Sequence, residues 1–268
     1  MNTDDLKQIV KEKYGKIAEQ NSSEKSSCCS SSCCGPDVDY TVFSENYKNM
    51  EGYNPDADMN LGCGIPTDFA GIKAGDHVLD LGSGAGNDCF VARAIVGETG
   101  KVTGLDFTEP MVIKARENCA KLNFKNVEFV LGDIEGMPFE DKLFDVVISN
   151  CVLNLVPDKS KAFNEIFRVL KPKGHFCVSD VVIKGTLSEN MKKDAEMYAG
   201  CVSGASEMNE YLKIIENSGF INVKVHKEKE IKLPDSLLSQ YNDPKELDSY
   251  HAGDKGIFSI TISATKLL

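Results

Sequence analysis

Apolar and polar positions follow two different rhythms along the chain, and the changes of rhythm mark its elements. Leu6, Ile9, Val10, Tyr14 and Ile17 recur at helical spacing with charges opposite, which predicts a helix over residues 1–20. Residues 37–72 carry many turn formers and read as irregular structure with short helices. From residue 76 the pattern sharpens. "HVLDLG" is a short apolar run ending in glycine, and "NDCFVARAIVG" follows at helical spacing and stops at Gly97. "KVTGLD" is a second strand, and "EPMVIKARENCAKLN" a helix with Pro110 in its first turn. "VEFVLGD" and "FDVVISN" are the next two strands. "DKSKAFNEIFRVLKPKG" is a helix stopped by Pro172 and Gly174, and "HFCVSDVVI" is a fifth strand. Strands alternating with helices predict a parallel sheet covered on both faces, and right-handed crossovers make it a doubly wound α/β sheet.

After residue 184 the rhythm changes. "LSENMKKDAEMYAG" and "SEMNEYLKIIENSG" read as helices, the second ending at Gly219. "FINVKVHKEKEIKL" alternates like a strand with a bulge, and "GIFSITISATK" is a last strand. The expected division is an amino-terminal part over 1–60, a central α/β part over 61–183, and a smaller α+β part over 184–268 that completes the sheet. The acidic stretch 235–255 reads as a surface loop or short helix helping to cover a substrate site. There is no internal repeat.

The segment "VLDLGSGAG" sets Gly82, Gly84 and Gly86 between the first strand and the first helix. Glycines there permit a tight turn and close approach of a ligand to the backbone. The helix start adds free N–H groups. Asp106 ends the second strand, where an acid can hold two ribose hydroxyls. Gly132 and Asp133 end the third. A tight turn without a ligand remains the alternative for the loop alone, and the two strand-end acids count against it. A phosphate loop would continue G-K-[ST], whereas Asn87 and Asp88 follow here. Asp80, just before the glycines, is a poor neighbour for pyrophosphate and a good one for a cationic amino-acid moiety.

Composition narrows the partners. The 268 residues carry a formal charge of -11, which argues against nucleic acid or an anionic membrane. No apolar run is long enough to span a bilayer, and the acidic amino terminus shows no secretory signal. A cytoplasmic location is therefore expected. Thiols stay reduced there, so the ten cysteines are not a disulfide framework. Four of them, Cys28, Cys29, Cys33 and Cys34, crowd a serine-rich segment that reads as mobile. Cys151 follows Asn150 at the end of the fourth strand, where open α/β sheets bind ligands. Function and core packing are both open for it. Cys63 in "NLGCGIP" and Cys201 in "YAGCVSGAS" have small neighbours that leave a thiol accessible. Cys89, Cys119 and Cys177 fall within elements and read as core. Cys29 and Cys33 fit zinc-knuckle spacing, but a second pair is missing.

The pattern D-x-G-x-G-x-G from Asp80 to Gly86 resembles that of class I S-adenosylmethionine-dependent methyltransferases. The resemblance implies a seven-stranded, Rossmann-like sheet in the order 3-2-1-4-5-7-6, with strand seven antiparallel. It implies that Asp80, Gly82, Ser83, Gly84 and Gly86 line the cofactor and that Asp106, with Phe107 beside it, holds the ribose. Met111 and the Asp133–Ile134 pair would flank adenine, and Asn150 would face the reactive end. More narrowly, "NLGCGIP", "DLGSGAGNDCF", "SNCVLNLVPDK" and "AGCVSGA" together resemble the arsenite S-adenosylmethionine methyltransferases. So does "KEKYGKIAEQ" before a Cys-Cys segment.

By this likeness Cys63, Cys151 and Cys201 match three cysteines that bind trivalent arsenic, with Cys34 or Cys33 as a fourth. Arsenic would be the nucleophile through its own lone pair, so no general base is needed. Methyl transfer oxidises arsenic, and a closing cysteine pair would return two electrons. Disulfide geometry favours a bridge from Cys33 or Cys34 to Cys63 over one between adjacent cysteines. The expected partners are arsenite or its thiol conjugate and a thiol reductant, thioredoxin or glutathione. The expected state is a monomer. Two alternatives stand: a methyltransferase of an organic small molecule, and a non-catalytic thiol-based metalloid binder.

Overall fold

The computed structural model describes residues 3–20, 45–185, 204–231 and 256–267. The segment with Cys28, Cys29, Cys33 and Cys34 lies outside them, as do the helix expected over 187–200, Cys201 and the acidic stretch 235–255.

Helix α1 (Thr3–Gln20) leads through turns to strand β1 (His77–Leu81). Then come α2 (Asn87–Val96), β2 (Lys101–Asp106), α3 (Glu109–Leu122), β3 (Val127–Leu131) and β4 (Phe144–Asn150). Helix α4 (Lys159–Val169), strand β5 (Leu170–Lys184), helix α5 (Met208–Asn217), and strands β6 (Ile221–Ile231) and β7 (Gly256–Thr265) complete the described chain. The sheet order is β3-β2-β1-β4-β5-β7-β6. β7 runs antiparallel to both its neighbours, and the pairings from β3 to β5 are parallel. This is the order the resemblance implies. The β6 pairing carries two register shifts, as its broken alternation predicts.

Two apolar layers hold the sheet. One joins β-sheet residues such as Leu79, Val147 and Ile262 to Phe163 and Ile166 of α4 and to Tyr211 and Ile215 of α5. The other joins Val78, Val102 and Ile148 to Phe90 and Val96 of α2 and to Val112 and Ala115 of α3. Each fully buried side chain of this size contributes about 1.5–3 kcal/mol. The helices start where their sequence predicts. Asp158 caps α4 by accepting Lys161 N–H, and Glu207 caps α5 by accepting the N–H groups of Asn209 and Glu210.

Helix α4 ends earlier than Pro172 and Gly174 imply. Leu170 already pairs with Phe144 in the sheet. The Lys266 ammonium donates to the carbonyls of Phe167 and Leu170 at 2.7 and 2.8 Å, so a residue from the far end of the chain closes the helix. No helix among the described residues is long and apolar enough to cross a membrane.

Candidate functional site

The β1–α2 turn hangs on the end of β2. The N–H groups of Gly82 and Ser83 both donate to Leu105 O. Gly84 N–H donates to Asp106 Oδ2 at 2.9 Å, and Thr108 N–H to Asp106 Oδ1 at 2.8 Å. Gly82, Gly84 and Gly86 take φ of +68°, +51° and +100°. A Cβ on Gly84 would meet nothing within 4 Å, whereas one on Gly82 would lie 2.2 Å from Val152 Cγ2. Gly84 thus faces open space, and Gly82 lets the residue after Cys151 close against the loop.

That space belongs to a pocket at the carboxyl ends of the strands. Asp80, Gly82, Ser83, Gly84, Asp106, Phe107, Met111, Asp133, Ile134, Asn150 and Cys151 all border it, bringing four strand ends to one place. Gly86 caps α2 and is not among the residues that border the pocket. Its Cβ would meet Phe129 at 2.8 Å and Phe90 at 2.9 Å, so it is needed for packing helix onto sheet.

Electrostatics favour a cation. Burial, then the Asp88 charge, pushes the Asp80 carboxyl well above the usual carboxylate range. Burial pushes Asp88 up to about 6, against hydrogen bonds from Tyr47 and Asn150. Burial raises Asp106 too, opposed by its N–H donors. Acids held this way gain from a positive ligand. Ser83 and Asn87 border the pocket, and their side-chain oxygens, Ser83 Oγ and Asn87 Oδ1, are buried with no hydrogen-bond partner. Such atoms call for a ligand's polar groups. Open space over Gly84, three raised acids and two unpartnered oxygens together fit an adenosyl sulfonium with an amino-acid tail.

The cysteines divide as follows. Cys151 takes φ +59° and is held by its N–H to Ser179 O at 2.7 Å. Its residue is 5 % exposed, and it borders the pocket. Cys63 is 1 % exposed, which corrects the expectation of an accessible thiol. Its loop is pressed onto β4 and β7: its N–H donates to Asn150 Oδ1 at 3.0 Å, and its carbonyl accepts Ser259 Oγ. The Cys63 N–H is tied to Asn150, the residue before Cys151, so the fold brings the two cysteines to one region. Cys89, Cys119 and Cys177 are buried, and the Cys89 thiol donates to Asp80 Oδ2. No disulfide links the described cysteines. Among the described residues no three His, Cys, Asp or Glu side chains converge as a metal set. Cys201, Cys33 and Cys34 lie outside this description.

Several contributors escaped the sequence reading. Lys7, Val10 and Tyr14 of α1 wall the pocket. Lys7 Nζ pairs with Asp133 Oδ2 at 2.6 Å and with Glu135. Tyr47, 41 residues before Asp88, donates to it at 2.8 Å. Asp88 was visible only as the residue that rules out a phosphate loop. Val152 and Leu155 extend the wall beyond Cys151.

Residues 72–219 match the model of the "Methyltransferase domain" family. The chain is 41% identical over 210 residues to an arsenite methyltransferase of Halobacterium salinarum, covering 78% of this chain and 51% of that protein. It thus spans about half that relative's length. It is 30% identical over 269 residues to the arsenite methyltransferase of Aquipseudomonas alcaligenes, covering 98% of this chain and 72% of the relative. An arsenic(III) S-adenosylmethionine methyltransferase from Chlamydomonas reinhardtii superposes with a TM-score of 0.66 at 35% identity, covering 77% of this chain and 68% of that one. With strand order, glycine loop and pocket acids already pointing the same way, these likenesses place the chain in the methyltransferase domain family and, within it, among the arsenite methyltransferases.

Proposed function

We propose that this chain methylates trivalent arsenic held by cysteine thiols, with S-adenosylmethionine as the methyl donor. One observation carries the reading: Cys151 borders the same pocket as the glycine loop, and the backbone of Cys63 is tied to the neighbouring Asn150. S-adenosylmethionine supplies an electrophilic methyl on a positively charged sulfur. Asp106 would accept the ribose hydroxyls, and Met111 and Ile134 would sandwich adenine beside Asp133. Asp80 and Asp88 would face the cationic end, with Ser83 Oγ and Asn87 Oδ1 taking up its polar groups.

Thiols at Cys63 and Cys151, joined by Cys201, would hold the arsenic, displacing its hydroxides as water or its glutathione ligands as thiol. The arsenic lone pair attacks in line. No proton has to be removed, which agrees with a pocket that no described histidine borders. Catalysis is then mainly positioning, an effect that can supply about 7–11 kcal/mol. Transfer takes arsenic formally from the trivalent to the pentavalent state. Two thiols return two electrons by closing to a disulfide, with Cys33 or Cys34 bridging to Cys63, and thioredoxin or glutathione reopens it. In this reading residues 1–60 bring the relay cysteines, 61–183 hold the methyl donor, and 184–268 complete the substrate side of a monomer working in the cytoplasm.

The test is incubation with S-adenosylmethionine, a thiol reductant and arsenite, followed by mass-detected chromatography, in parallel with Cys151→Ser. Methylated arsenic from the wild type and none from the variant is expected. An unimpaired Cys151→Ser sinks the thiol mechanism. No product from a wild type that still binds the donor moves the assignment to an organic acceptor.

A further inference from the structure

Cys63 lies between two glycines, and the structure gives each a reason. A Cβ on Gly62 would sit 2.5 Å from Asn150 Nδ2, and one on Gly64 would sit 2.5 Å from Ser179 Oγ. Only glycine lets residues 62–64 rest directly on the ends of β4 and β5. The loop is then tied from three sides. Gly64 O accepts Asn150 Nδ2 at 2.8 Å and the Tyr47 hydroxyl at 3.0 Å. Asn150 Nδ2 also reaches Tyr47 Oη at 2.8 Å and Asp88 Oδ2 at 3.1 Å. The single Tyr47 proton is shared between Gly64 O and Asp88 Oδ1. With Oδ1 accepting Cys63 N–H, both amide hydrogens of Asn150 and one lone pair are engaged within the protein. The next residue is Cys151, in a left-handed conformation that a side chain adopts only when its surroundings hold it there.

We propose that Tyr47, Asn150 and Asp88 are positioning residues that lock the Cys63 loop against the Cys151 turn and so set how two thiols meet one trivalent thiophilic atom. The proposal rests on the thiol-binding reading above. It moves Asn150 from cofactor ligand to structural junction, and it ties the Tyr47 hydroxyl to substrate affinity more strongly than to donor affinity. Burial, then the Asp88 charge, holds the Tyr47 hydroxyl well above its usual range, so it remains a donor.

The test uses the full chain as wild type, Tyr47→Phe and Gly62→Ala, with glutathione-complexed arsenite. Tyr47→Phe keeps the ring and removes only the hydroxyl. Gly62→Ala pushes the loop off Asn150 from the other side with Tyr47 intact. Both should raise the KM for arsenite about tenfold, the scale of one hydrogen bond to a buried group, and raise the Kd of S-adenosylhomocysteine by a clearly smaller factor. A wild-type arsenite KM in Tyr47→Phe overturns the proposal, and so do equal losses for both ligands.

If the wild type yields no methylated arsenic, the thiol pair is read with phenylarsine oxide. Its arsenic–oxygen double bond gives way to two arsenic–sulfur bonds, and the oxygen leaves with both thiol protons as water. Peptide mapping by mass spectrometry locates the bridge. A Cys63–Cys151 bridge that forms about tenfold more slowly in Tyr47→Phe keeps the positioning role while the methylation reading falls. No such bridge in the wild type, or equal rates, overturns it.

Discussion

Replacing Gly84 by alanine should leave the fold nearly intact and impair the pocket, while the same change at Gly86 should do the reverse. At Gly84 an added Cβ meets nothing within 4 Å, so the cost is only that of an alanine at φ +51°, about 1–2 kcal/mol. At Gly86 φ is +100°, and the new carbon lies 2.8 Å from Phe129 and 2.9 Å from Phe90, both buried. Backbone strain and overpacking combine there to about 2–6 kcal/mol. For a chain of this size each kcal/mol moves Tm by about 2–4 °C. Gly84→Ala should therefore melt only a few degrees lower, and Gly86→Ala roughly ten degrees lower or fail to accumulate. Calorimetric titration with S-adenosylhomocysteine gives the second axis. Gly84→Ala should weaken binding by about tenfold or more, because its methyl group occupies the space a ligand needs beside the backbone. Wild-type affinity in Gly84→Ala, or equal thermal losses in both variants, would refute the division of labour argued from the loop.

Asp180, buried beneath the Tyr211 hydroxyl, has its carboxyl pushed up to about 7 by burial. The folded state then holds that proton more tightly than the unfolded chain. Its stabilising effect is present at low pH and is lost as pH rises through about 4 to 7, on the order of a few kcal/mol. Asp180→Asn should narrow the gap between urea midpoints at about pH 5 and pH 8, and an unchanged gap would contradict the assignment. Lys7→Ala removes the ion pairs to Asp133 and Glu135 that tie α1 across the pocket. Because Lys7 and Asp133 are partly exposed and the buried Glu135 still accepts Asp158 N–H, Tm should fall little while S-adenosylhomocysteine binds a fewfold more weakly, and a large Tm loss with unchanged affinity would make α1 purely structural.

Local rules carried much of the architecture. The apolar runs and the glycine stops are readable because they act within a few residues. The Asp80–Gly86 pattern and Asp106 were legible for the same reason: a tight turn and a strand-end acid have local signatures. Three-dimensional contacts decided the rest. Gly86 and Gly84 read alike in the turn, and it is the packing of Phe129 from β3 and Phe90 from α2 that separates a packing glycine from a pocket glycine. Cys63 looks like an exposed loop thiol until Asn150 and Ser259, 87 and 196 residues away, close over its backbone. Helix α4 stops early because Lys266 reaches its carbonyls from 96 and 99 residues on. Helix α1 reads from its periodicity as a helix with one apolar face, but what that face covers was set by folding, which turned Lys7 toward Asp133, 126 residues away. Spacing along the chain reports the local energetics of turns, caps and strands. Which distant groups share a pocket is determined by the closure of the sheet, and no single stretch of sequence encodes that.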